Sequence, residues 1–155
     1  KATFFCVGKN VIKKPVLYKK ILENGHSVGN HSMTHPNGWK VDKVFYQNDI
    51  NMATGNINSD LFRPPFGKLN IGSLKSLKKK FQIIMWDVVS GDFDLKLNSN
   101  KVINNVVCSA RNGSIIVMHD NDKFKSLTIS SLLPIIKALK EKGFCFRPIP
   151  FNPLV

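Results

Sequence analysis

The sequence predicts an α/β fold, with parallel strands at the centre and helices outside, arranged either as an open layer or as a (β/α) barrel. Short apolar runs alternate with segments of helical periodicity along the whole chain. At least one run, Ser114–Met118, is apolar after its first residue, as in a fully buried strand. The residues best suited to chemistry stand just after these runs, at the strand ends where α/β folds place their sites.

The elements follow in order. Ala2–Val7 reads as a short buried strand ending at Gly8. Lys14–Glu23 carries Val16, Leu17, Ile21 and Leu22 at helical spacing and stops at Asn24-Gly25, a good C-terminal cap. His26–Asn30 is a second strand, and Val41–Asn58 a helix weakened by Gly55. Ser73–Lys80 is a short Ser-capped helix, and Phe81–Asp87 a strand. Lys101–Ser109 reads as a helix, Ser114–Met118 as a strand, Ser126–Lys142 as a helix and Phe144–Phe146 as a last strand. Pro134 should kink that last helix or sit near its first turn.

A chain of 155 residues is expected to form one domain with a real core. No apolar run approaches the ~18 residues that span a membrane. The basic start leads straight into a strand-like run, so no signal peptide is expected. Cys6, Cys108 and Cys145 are odd in number, scattered and flanked by apolar residues, which reads as buried thiols. The net charge is +13, but the lysines are spread as solvated helix faces would be: 13–14, 19–20, 78–80, 137, 140 and 142. With no recognised binding motif beside them, nucleic acid is not an expected partner.

The most informative stretch is His31-Ser32-Met33-Thr34-His35. On a helical turn, positions i and i+4 share a face, so both rings could reach one divalent ion. Gly25 and Gly29 precede the pair and Pro36-Asn37-Gly38 closes it as a turn. Two histidines make half of a tetrahedral site, so a third protein ligand must come from elsewhere. Arg63-Pro64-Pro65 is a stiff run that could aim the backbone N–H of Phe66 or Gly67 at a developing oxyanion. The alternative is a structural turn. His119 follows Ile-Ile-Val-Met at a strand end, as a site residue or as a histidine bonded to a nearby carbonyl.

Taken together, the motifs resemble a family. Ala2-Thr3-Phe4-Phe5 with Gly8, Gly25-His26, and Gly29 through Pro36 come first. Phe62-Arg63-Pro64-Pro65-Phe66-Gly67, Trp86 through Phe93, and Gly113 through Asp120 follow in order. The chain resembles the polysaccharide deacetylases, the NodB-homology domains of carbohydrate esterase family 4, nearly end to end. The resemblance implies a distorted (β/α) barrel and a metal-dependent hydrolase that removes acetyl groups from N-acetylglucosamine-type polysaccharide, peptidoglycan or chitin-like. It implies a divalent metal, usually zinc, on His31 and His35, with Arg63 holding a catalytic carboxylate. The Phe66 N–H would face the oxyanion and His119 would be the general acid. It also implies an acetylated polysaccharide as partner and an extracytoplasmic or cell-envelope, bacterial setting.

The departures matter as much. The family's first strand ends in Thr-Phe-Asp-Asp-Gly, supplying the base and the third metal ligand. The eight aspartates here are Asp42, Asp49, Asp60, Asp87, Asp92, Asp94, Asp120 and Asp122, with no adjacent pair. The expectation is a partial domain over residues 1–155, lacking the first strand and helix and inactive by itself. Val89 stands where an aspartate that orients the acid histidine is expected, Asp92 matches the second acidic position, and Phe93 replaces a tryptophan. Asp87 and Asp92 are therefore the candidates to orient His119. Other readings are an inactive deacetylase-like carbohydrate-binding domain and a metal-dependent amidase acting on a non-sugar amide.

Overall fold

The computed structural model describes residues 1–154, which divide into two compact units. The first comprises residues 1–85 and the segment from Phe146 onward; the second is Trp86–Cys145.

In the first unit, β1 (Thr3–Cys6), β2 (Ser27–Asn30), β3 (Leu61–Phe62) and β4 (Gln82–Ile83) form one parallel sheet in sequential order. Parallel neighbours need crossovers. These are α1 (Gly8–Lys13) with α2 (Pro15–Glu23), then α3 (Lys43–Thr54), then α4 (Leu74–Leu77). Pro15 opens α2 where its missing N–H costs nothing. Gly25 ends that turn with φ 70°, a left-handed conformation glycine adopts without strain. Asp42 caps α3 by accepting the Phe45 N–H at 2.9 Å. The buried face of α3 (Tyr46, Ile50, Ala53) feeds two apolar clusters. One gathers Val11, Val28, Met33 and Ile57 around Ala53; the other gathers Phe62, Leu77 and Phe81 around Tyr46 and Ile50.

The chain's last segment is stitched onto the N-terminal ends of these strands. Ile149 N–H donates to Thr3 Oγ1 at 2.7 Å. Asp60 accepts the Asn152 N–H at 2.8 Å, while the Asp60 N–H donates to the Asn152 carbonyl at 2.9 Å. Leu154 N–H reaches Asn58 Oδ1 at 2.6 Å. Phe151 and Leu154 each pack against one of the two clusters.

In the second unit, β5 (Val88–Val89) pairs in parallel with β6 (Ile116–Val117). Helix α5 (Ser99–Val107), capped by Asn98, packs against α6 (Lys125–Glu141). Val102 and Val106 of the first and Ile135 and Leu139 of the second are buried. Asp87 ties the start of β5 to the residues before β6, accepting from Ser114 Oγ at 2.8 Å and the Ile115 N–H at 2.7 Å.

The α/β class and the parallel pairing are as the sequence predicts. Several details differ. The Phe81–Asp87 strand shrinks to β4, and the next strand begins after it, at Val88. Phe144–Phe146 is not a strand. Gly8–Lys13, which has no extended apolar periodicity, is a helix. Pro134 lies in the interior of the 17-residue α6, away from its first turn, and leaves the Ser130 carbonyl without its helical donor. The cysteines are not buried thiols: Cys108 and Cys145 are exposed and Cys6 is half-buried. The lysines of the basic runs are exposed, as expected. Among the described residues no helix is long and apolar enough to cross a membrane.

Candidate active site

His31 and His35 are not on a helical turn. Ser32 and His35 both have positive φ, 65° and 63°, so the loop folds back on itself instead of coiling. This still brings the rings together, edge to face with centroids 4.8 Å apart. Non-glycine residues in the left-handed region are strained, so something must hold them.

His31 N–H donates to the Cys6 carbonyl of β1 at 2.9 Å. The Ser32 and Met33 carbonyls accept the first N–H groups of α1, from Gly8 at 2.9 Å and Lys9 at 3.1 Å. A Cβ on Gly8 would lie 2.9 Å from the Met33 sulfur, so a larger residue there would require the Met33 side chain to shift. Asn30, fully buried, accepts the Ser32 N–H at 2.7 Å, and Ser32 Oγ accepts the His35 N–H at 3.0 Å. The buried Asp49 of α3 takes three donors: the Met33 and Thr34 N–H groups on Oδ1 at 2.9 and 3.1 Å, and the Thr34 hydroxyl on Oδ2 at 2.6 Å.

His31 Nδ1 lies 2.6 Å from the Arg63 carbonyl oxygen. A carbonyl only accepts, so Nδ1 carries the proton; in the neutral ring this leaves the lone pair on Nε2, the tautomer a metal ligand requires. The Arg63 guanidinium donates to the Ile84 and Met85 carbonyls, both at 3.1 Å, and lies 4.1 Å over the Phe5 ring. Burial pushes its pKa down to about 10. After the two prolines, Phe66 also has positive φ, 57°, and its ring meets His35 edge to face at 4.6 Å. Of the two candidate oxyanion donors, the Gly67 N–H is already bonded to the Pro64 carbonyl at 3.0 Å. The Phe66 N–H has no acceptor among the described residues.

In the second unit, His119 follows β6 and Asp92 lies in the loop after β5. Asp92 is wholly buried, and its Oδ1 accepts His119 Nδ1–H at 2.8 Å. The same oxygen accepts the Ser90 hydroxyl at 2.9 Å. Oδ2 accepts the His119 N–H at 2.7 Å and faces Thr128 Oγ1 at 2.9 Å. Burial would raise this carboxyl, but the His119 and Thr128 hydrogen bonds and the nearby imidazole outweigh it, holding the group below the usual carboxylate range. Of the two candidates, Asp92 and not Asp87 is the residue that orients His119. Phe93 meets the His119 ring edge to face at 5.1 Å.

Among known families, residues 1–81 match polysaccharide deacetylase. The chain belongs to that family. The matched residues include His31, His35, Arg63 and Phe66. A peptidoglycan-N-acetylglucosamine deacetylase of Bacillus cereus is 33% identical, aligned over 97% of this chain and 57% of its own length. A second from that organism is 32% identical over 94% of this chain and 71% of its own length. The chain thus spans a little over half of the first relative. A solved peptidoglycan N-acetylglucosamine deacetylase, in complex with 4-naphthalen-1-yl-N-oxidanyl-benzamide, superposes with a TM-score of 0.89 at 31% identity. That match covers 96% of this chain and 72% of the solved one. The expected α/β fold of NodB type is the fold these polysaccharide deacetylases share.

Two imidazoles with one tautomer fixed suit zinc, nickel or cobalt. Among the described residues no third histidine, cysteine or carboxylate completes a cluster with them. The sequence motifs alone did not reveal Asp49, Asn30 or Thr128 as site residues. The signal for Asn30 was present in its position directly before His31, whereas Asp49 and Thr128 lie a helix away from the residues they hold.

Proposed function

We propose that the protein is a metal-dependent hydrolase that removes acetyl groups from an N-acetylglucosamine-type polysaccharide, peptidoglycan or chitin-like. We read residues 1–155 as part of a single deacetylase domain, because the relatives align across both units. The observation that carries the proposal is the paired imidazoles, with His31 Nδ1 committed to the Arg63 carbonyl.

His31 and His35 would hold the ion, zinc in the family's usual case. When bound, such an ion supplies Lewis-acid polarisation of a carbonyl and activation of water. The Phe66 N–H donates to the oxygen that gains charge as the acetyl carbonyl is attacked. Arg63 would hold the catalytic carboxylate of the family's Asp-Asp motif. His119 Nε2 delivers a proton to the departing amine nitrogen while Asp92 keeps Nδ1 protonated. The cell envelope is the proposed setting, where such a polymer lies. Residues 1–155 contain no Asp-Asp pair, so by themselves they are proposed to release no acetate.

The test is acetate release from hexa-N-acetylchitohexaose and from peptidoglycan by the protein that carries this chain. The expected activity disappears with a chelator, returns with zinc, and is absent in the His31→Ala variant. Full activity in chelator, or in that variant, would overturn the assignment. The absent Asp-Asp pair favours one second reading, an inactive carbohydrate-binding domain, which would bind the oligomer and never turn it over.

A further inference from the structure

Trp39 is the largest apolar side chain left in water close to the histidine pair. It is 66% exposed, and Phe66, whose ring touches His35, is 60% exposed. An indole contributes most when buried, so this one does little for the fold, yet the loop that carries it is fixed. Trp39 N–H closes a turn on Asn37 Oδ1 at 3.0 Å. The Gly38 N–H donates to the Lys68 carbonyl at 3.1 Å, and Asn70 Nδ2 donates to the Val41 carbonyl at 3.1 Å. A Cβ on Gly38 would lie 2.3 Å from the Lys68 oxygen, so the two backbones are in closest contact there. The loop after His35 is thereby zipped to the segment after Phe66. Lys68 completes the arrangement, its ammonium 3.7 Å from the Trp39 ring centroid, which favours this orientation of the indole.

We propose that Trp39, braced by Lys68, is a stacking platform for a sugar ring of the polysaccharide, one outside the residue whose acetyl group is removed. The inference rests on the deacetylase reading for the identity of the polymer. Its physical basis is separate. A pyranose ring offers a face of C–H groups, and a flat, immobilised indole can cover that face at little entropic cost. Continuity from His35 through Phe66 and Lys68 to Trp39 places the platform beside the imidazole pair, in the same unit of the protein.

The experiment is calorimetric titration of hexa-N-acetylchitohexaose into the protein and its Trp39→Ala, Trp39→Phe and Ile71→Ala variants, with acetate release measured in parallel. Trp39→Ala is expected to weaken binding about tenfold. Trp39→Phe should recover part of that loss, and Ile71→Ala, a still more exposed apolar control, should bind as the parent does. Because Trp39 is exposed, the unfolding midpoint should not move. Unchanged binding in Trp39→Ala, or no binding by the parent, overturns the platform. Binding that depends on Trp39 with no acetate released supports the platform and favours the carbohydrate-binding reading over the hydrolase. Acetate released equally by parent and Trp39→Ala, at subsaturating hexamer, sinks the platform alone.

Discussion

His31 and His35 lie in the loop that leaves β2 and His119 in the loop that leaves β6, and the two loops are held in different ways. The first pair is held by many weak ties from four places: the Cys6 carbonyl, the opening N–H groups of α1, Asn30 and Asp49. The second depends on one buried carboxylate, Asp92, around which Ser90, Thr128 and His119 gather. Distributed support tolerates the strain of positive φ at Ser32 and His35, because no single tie has to carry it. Concentrated support is more precise and more fragile. Removing its centre takes an acceptor from the buried Ser90 hydroxyl and from His119 and Thr128 at once.

Substitutions can break this contrast. The largest effect is expected for His31→Ala and His35→Ala, which should take acetate release below detection and abolish cobalt binding followed by visible absorption. His119→Ala should lower kcat by about 10²–10⁴, the usual value of a general acid, while leaving the cobalt spectrum intact. Asp92→Asn should reduce kcat within the same range, and Asp92→Ala should also lower stability by about 2–4 kcal/mol in chemical denaturation, as its buried donors lose their acceptor.

The distributed loop should respond less. Asp49→Ala is expected to weaken cobalt affinity about 10–100-fold, as outer-shell substitutions do, and to cost about 1–3 kcal/mol. If Asp49→Ala instead proved as damaging as Asp92→Ala, the contrast would be wrong.

Acid should also separate the two sites. Asp92 has a folded pKa below its unfolded value. Its contribution is therefore complete above the unfolded pKa of about 3.9 and is lost as pH falls through the folded value. Unfolding midpoints should hold steady down to about pH 5 and drop below about pH 4, and Asp92→Asn should flatten that drop. The smallest effect belongs to Phe66→Gly. Relief of the left-handed strain should shift stability by no more than about 1 kcal/mol, read as a small change in the denaturation midpoint.

Much of this was legible in the residues. The apolar runs located β1, β2 and β6, and the ordered motifs brought out His31, His35, Arg63, Phe66 and His119. Asp92 was one of two candidates, and the choice waited on geometry because Asp87 is also a strand-end carboxylate. What stayed hidden has physical causes. Positive φ at Ser32 and His35 leaves no mark when the residue is not glycine. Asp49 falls on a helix with a mixed face, where an acidic residue reads as solvated, and only packing shows that it is buried. Phe144-Cys145-Phe146 has strand composition but finds no neighbouring strand, so it stays irregular with Cys145 exposed.

The stitching of the final segment onto Thr3, Asn58 and Asp60 has a consequence for how the protein is made. Trp86–Cys145 is contiguous in sequence, so it can acquire its structure while translation is still under way. The first unit cannot: contacts 92, 96 and 146 residues apart in sequence must wait until residues 149–154 have been synthesised. Of the two units, the one begun first is therefore completed second. Until then the floor of its sheet stays open to chaperones and proteases, and a short deletion behind Arg147 should cost more soluble protein than a deletion of the same length in an exposed loop.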